Sequence, residues 1–210
     1  NVIPREATAT IIIEDEHITL FNDLFAEVVA NVKHELKTGD PDITITEKTL
    51  SYSEDMKVFS KLSSDNVIFT LINAPNGIQT MSADLEGMVE SSLNVGKCQI
   101  ENDEVVFLFA VRSNVKSLKY HVTNQLEWFA KQIGAKFILT ADYPEWEFKP
   151  DSNLLRQAAG IYEKMYGTKP IVKSIHAGLE PGAFLQKLPH LDAISLGPDM
   201  EEVHSPNERL

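Results

Sequence analysis

The sequence is poor in cysteine. Cys98 is its one thiol in 210 residues, so no internal disulfide can form, as expected of a protein from a reducing compartment. Long apolar runs are also missing. None approaches the roughly 18 residues that a membrane-crossing helix needs. Positive charge is short: 19 Lys and Arg stand against 31 Asp and Glu, a formal net charge of -12. That balance argues against nucleic acid or an anionic membrane as the main partner, because both are held by basic patches. There is no Gly-rich phosphate loop, no cysteine cluster and no nucleophile elbow, and none of the six histidines stands in a His-Glu-x-x-His motif. What remains is ordinary for a globular chain, 43% hydrophobic and 24% charged, long enough for one large domain or two small ones.

Periodicity supplies the elements. Residues 7–13 form a β-rich run. Phe21, Leu24, Phe25, Val28, Val29, Val32 and Leu36 recur at three- and four-residue spacing, which predicts a helix over about 18–37 with Gly39 past its end. Residues 43–46 alternate like a half-buried strand. A weaker helix is expected over 64–71, then a turn at 74–77. Two β runs, 89–100 and 105–111, flank the polar stretch 101–104 and read as a hairpin. A helix over 115–133 carries Leu118, Val122, Leu126, Phe129 and Ile133 on one stripe, with Gly134 to end it; 136–140 reads as a strand. Prolines and charges interrupt the pattern at 143–150, where a boundary is placed. Beyond it, Asp151 or Ser152 caps a helix reaching Met165, with Gly167 after it. Strands over 171–175 and 191–196 bracket a loop, 176–182, that opens a short helix. The first part thus reads as α+β, a β-sheet packed with long amphipathic helices, and the second as one flank of an α/β domain. An Asn-Val start, a β run and a helix of about twenty residues occur twice, an order that duplication or shared packing rules alike would give.

Four positions invite a chemical reading. His204 lies between a strand end and the helix start Ser205-Pro206-Asn207-Glu208, beside Asp199, Glu201 and Glu202. A loop histidine there is either solvated or a metal ligand, and a zinc site needs about three protein ligands. Glu180 sits in a glycine-bearing loop that permits close backbone approach to a ligand; it equally suits a helix N-terminus. Arg112 ends a β run and has the fork that grips a carboxylate, with Asn94 on the partnering run as an amide donor; an exposed strand-end arginine is the plainer reading. His17, His34 and His121 are expected on helix surfaces, and Cys98 in packing.

Four separated segments carry a family resemblance: Asn1-Val2-Ile3-Pro4-Arg5-Glu6-Ala7, Val89-Glu90-Ser91-Ser92-Leu93-Asn94-Val95-Gly96, Ile175-His176-Ala177-Gly178-Leu179-Glu180, and Ser195-Leu196-Gly197-Pro198-Asp199 with His204-Ser205-Pro206-Asn207-Glu208. Together they resemble the aminoacyl-histidine (Xaa-His) dipeptidases, or cytosol non-specific dipeptidases, a family of dinuclear zinc metallopeptidases. The resemblance implies a lid domain over residues 1–148, also used for homodimer contacts, and the C-terminal part of a catalytic domain over 149–210. It implies His204 as a ligand to one of two zinc ions, and Asn94, Arg112 and Glu180 as contacts to a dipeptide substrate in a cytoplasmic enzyme. Where the family shows Glu-Cys-Gly, this chain has Glu180-Pro181-Gly182, which removes a thiol from that loop. The other zinc ligands and the proton-shuttling glutamate would precede Asn1, so no catalytic residue is expected within these residues and the chain is expected to be inactive alone. A non-catalytic dimerisation or peptide-binding module is the alternative.

Overall fold

The computed structural model describes every residue except 1–3, 54, 175–178 and 203–206. By contacts the chain divides into a smaller unit, Arg5–Ser60, and a larger one built on Lys61–Leu210.

In the smaller unit a single 3-10 turn, Asp15–His17, leads into helix α1, Ile18–Glu35. The spacing of the apolar residues gives the helix, and Phe21 and Phe25 stack one turn apart with ring centroids 5.8 Å from each other. No residue of α1 is buried. The runs 7–13 and 43–46, expected as strands, form none. A strand exists only through its ladder, and neither run has a partner among the described residues.

The larger unit begins with helix α2, Lys61–Asn73, and a turn in which Gly77 takes φ +83°. Strand β1, Gly77–Met81, follows; its five residues gave too short a pattern to be read beforehand. The hairpin is confirmed as β2, Val89–Glu101, and β3, Glu104–Ser113. Asn102 and Asp103 both adopt positive φ, +50° and +62°, which matches a tight turn to the twist of the strands. The sheet is antiparallel in the order β1-β2-β3. Helix α3, Lys116–Gln132, lies against it and ends at Gly134 with φ +70°. Leu93, Val122 and Leu126 are the buried core, flanked by Phe109, Val111 and Phe137. At about 1.5–3 kcal/mol for each fully buried aliphatic side chain, this small cluster is the main apolar tie between α3 and the sheet. The Asn66 side chain donates to the Ile133 carbonyl at 3.3 Å, and Phe69 stacks on Phe129 at 5.4 Å, which fastens α2 to the end of α3.

Helix α4, Asn153–Tyr166, is bounded as expected. The Ser152 hydroxyl accepts from the Leu155 N–H at 3.0 Å, and Gly167 closes it with φ +72°. Helix α5, Glu180–Lys187, is the short helix foreseen after the glycine loop. The architecture is therefore mixed helix and strand around a three-stranded antiparallel sheet. The strands expected over 136–140, 171–175 and 191–196 are not formed among the described residues, of which 175 is not one. These are corrections with one cause: an apolar run in α/β surroundings needs neighbouring strands, and none lies beside them among the described residues. Cys98, expected in packing, is exposed.

Candidate functional site

Register decides what the sheet can present. Leu93 pairs with Val111 and Val95 with Phe109, and Leu93, Val111 and Phe109 pack with Val122 and Leu126 of α3. Alternation then sends the residues between them to the opposite face, away from α3. Ser92 pairs with Arg112, and Asn94 with Ala110. Arg112, Ser92 and Asn94 thus share one face, Ser92 directly opposite Arg112 and Asn94 diagonal to it, within reach of one small anion. Arg112 and Asn94 were foreseen as a pair. Ser92 was not, because a period-two pattern names faces only once the pairing is known. All three are half-buried. None of the ion pairs among the described residues uses Arg112. A half-buried guanidinium without a counter-ion is suited to accept one from a ligand.

Behind the arginine the backbone is held firmly. The Ser113 hydroxyl donates to the Glu90 carbonyl at 2.9 Å and accepts from the Val115 N–H at 3.1 Å, which fixes the passage from β3 to α3. The Asn76 side chain accepts from the Val95 N–H at 3.2 Å and steadies β2 beside Asn94.

Glu180 is exposed at the first position of α5, with Pro181 in the first turn and Leu179 as the extended N-cap. The structure brings Arg112 and Asn94 together on the sheet and places Glu180 on a separate element. A hollow of about 450 Å³ lies along α3, lined by His121, Asn124, Gln125, Trp128, Phe129 and Gln132, and includes none of the candidate residues.

His204 falls outside the described residues. The residues around it close on themselves: Glu201 and Arg209 exchange backbone hydrogen bonds of 2.9 and 3.1 Å, and the Arg209 guanidinium reaches Glu202 at 2.8 Å and also Glu201. Asn207–Leu210 form no helix. Among the described residues, Glu14, Glu16 and His17 bring three possible donor atoms within 4.8 Å of one another. All are exposed, and the two imidazole nitrogens point to different carboxylates, Nδ1 to Glu14 at 3.6 Å and Nε2 to Glu16 at 3.9 Å. A zinc ion needs one nitrogen and both carboxylates on the same side. The described residues therefore do not fit a two-zinc centre.

No family model matches the chain. Among curated proteins it is 31% identical over 210 residues to the cytosol non-specific dipeptidase of Escherichia coli (strain K12), which spans all of this chain and 43% of that protein. Among solved structures it is similar to the aminoacylhistidine dipeptidase of Vibrio alginolyticus, with a TM-score of 0.82, 34% identity, and coverage of 92% of this chain and 39% of that one. The chain spans less than half the length of either relative.

Proposed function

With the resemblance to the Xaa-His dipeptidase family borne out along the whole chain, we propose that these residues serve a peptidase that hydrolyses short peptides, Xaa-His dipeptides among them. The observation that carries this reading is the half-buried Arg112, which makes no ion pair among the described residues, beside Ser92 and Asn94 on the face of the sheet away from α3. Its guanidinium takes the peptide's terminal carboxylate through two parallel hydrogen bonds, with the serine hydroxyl and asparagine amide filling the remaining lone pairs. Such an anchor selects short peptides, because the scissile bond must lie a fixed distance from the free C-terminus.

In this reading residues 1–148 are a lid and 149–210 the returning part of a catalytic domain, with Glu180 at the edge of the peptide pocket. The metal implied is zinc, with His204 as one ligand. The other ligands and the proton-carrying glutamate belong to the part of the relatives' length that this chain does not span. The 210 residues alone are then inactive, and the enzyme is cytoplasmic. Dimerisation through the lid has its own support: β3 is an edge strand, and Leu108 on it is 53% exposed.

The test is kinetic. In the full-length protein Arg112→Ala raises KM for free dipeptides by about 10–100-fold, the worth of a charged hydrogen-bonded contact. It affects C-terminally amidated peptides much less; equal effects on both would remove the carboxylate role. For His204→Ala, zinc stoichiometry falls; unchanged stoichiometry sinks the ligand assignment.

A further inference from the structure

A run of contacts joins the sheet carrying Arg112 to the helix that opens at Glu180, and substrate binding as described does not use it. Val111, the neighbour of Arg112, packs against Leu93, Val122 and Leu126. One turn before Val122 on α3 stands Lys119. Its ammonium meets the carboxylates of Asp142 and Glu145 and donates to the Tyr143 carbonyl at 2.8 Å. The Lys119 and Glu145 side chains are only 12% and 13% exposed. The same segment also meets α5. Gly182 is buried there, and a Cβ at Gly182 would lie 2.7 Å from the Pro144 carbonyl oxygen and 3.0 Å from that of Glu145. Glu180 stands two residues before Gly182.

We propose that Lys119, Glu145 and Gly182 fix the span between the Arg112 anchor and the Glu180 end of the peptide pocket, and so set how sharply dipeptides are preferred over longer peptides. The inference rests on the dipeptidase reading. A carboxylate anchor measures length only if the opposite wall does not yield, and one more residue adds about 3.5 Å. The segment 142–145 is suited to be that strut. An ion pair this enclosed resists opening, because separating it leaves a desolvated charge on each side. The glycine contact is backbone on backbone, with no side chain to rotate away. Lys119 and Glu145 touch no substrate; they are positioning residues.

The experiment uses the full-length protein with Lys119→Met, Lys119→Arg, Glu145→Gln and Gly182→Ala. It compares kcat/KM for a dipeptide and for the tripeptide extended by one residue, and follows hydrogen exchange in α5. Lys119→Met and Gly182→Ala are expected to lower the dipeptide-to-tripeptide ratio by about tenfold, mainly through dipeptide KM, and to speed α5 exchange by a similar factor. Glu145→Gln, the variant least disturbing to folding, moves both readouts the same way by less, and Lys119→Arg leaves both near the starting values. Faster exchange with an unchanged ratio makes the pin merely structural and overturns the proposal. Unchanged exchange in Lys119→Met overturns it too, since the segment is then not held by the ion pair. Failure of the dipeptidase reading itself looks different: the unaltered protein hydrolyses neither peptide.

Discussion

Gly182 shows how one residue can be found in the sequence for the wrong reason. Its loop reads as a place where backbone approaches a ligand, yet what approaches is the chain's own Pro144 carbonyl. Replacing a helical glycine by alanine ordinarily gains up to about 1 kcal/mol. Here the methyl group meets backbone oxygens that cannot rotate away, and overpacking costs about 1–3 kcal/mol. The clash wins, so Gly182→Ala lowers the unfolding midpoint, measured by denaturant titration. Ser152 is the opposite case, a cap legible from the sequence that the structure extends. Asp192, 38 residues beyond Leu154, accepts from the Leu154 N–H at 3.0 Å, and this backbone bond, then a bond from the Ser152 hydroxyl, holds its carboxyl below the usual range. A lowered folded pKa means stability that is present above the unfolded value and lost as pH falls through the folded one. The first turn of α4 is therefore expected to fray below about pH 4, read as loss of amide protection at Leu154 and Leu155; Asp192→Asn shows the same fraying at neutral pH. The Lys119–Glu145 contact was invisible in the sequence, because nothing local marks which of many lysines meets which glutamate 26 positions on. Its sign is opposite to that of Asp192. Burial works against the Lys119 charge, but the contacts with Asp142 and Glu145 more than offset it and leave the pKa raised, so its contribution is kept until strongly alkaline pH.

At the scale of elements, what could be read was what closes on itself. Helices α1, α3 and α4 satisfy their backbone internally, so period, cap and terminal glycine sufficed to bound them to within a few residues. The hairpin was equally plain, because its partner strands are neighbours in sequence. The runs 136–140, 171–174 and 191–196 have the composition of strands without the ladder. Composition reports a preference for a half-buried pleated surface, and a partner must supply that surface. The pairing of Arg112 with Ser92 was hidden for a related reason: a register shift between Val95 and Lys97 alters the count along β2. The joint between sheet and α3 rests on a small cluster in which Leu93 is 1% exposed. Leu93→Ala is expected to cost about 2–5 kcal/mol, and to weaken the Arg112 site with it, since Val111 packs on the same side chain. Equilibrium unfolding gives the first quantity. A loss much below that range would show that other contacts hold α3 to the sheet.

The whole molecule exposes far more surface than its mass requires. Its accessible area is 16945 Å², whereas scaling for a folded monomer of this mass gives about 9,800 Å², and about 11,500 Å² with the two units counted as separate domains. The excess is strongly apolar: Ile171, Leu196, Ile72, Leu62 and Met165 are 83%, 82%, 74%, 71% and 68% exposed. Apolar surface on this scale is of the kind that docks against other protein, and the chain spans less than half the length of either relative. The 210 residues by themselves are therefore expected to bind a hydrophobic dye such as ANS and to self-associate, while the full-length protein does neither to the same degree. Charge opposes this, because a net -12 keeps copies apart. Salt separates the two forces. Raising ionic strength to about 1 M shortens the screening length to about 3 Å and leaves the apolar attraction intact, so association of the isolated chain grows with salt in sedimentation or light scattering. A chain that stays monomeric and dye-free in high salt would mean that its apolar residues find one another in solution, and that the surface is not an interface.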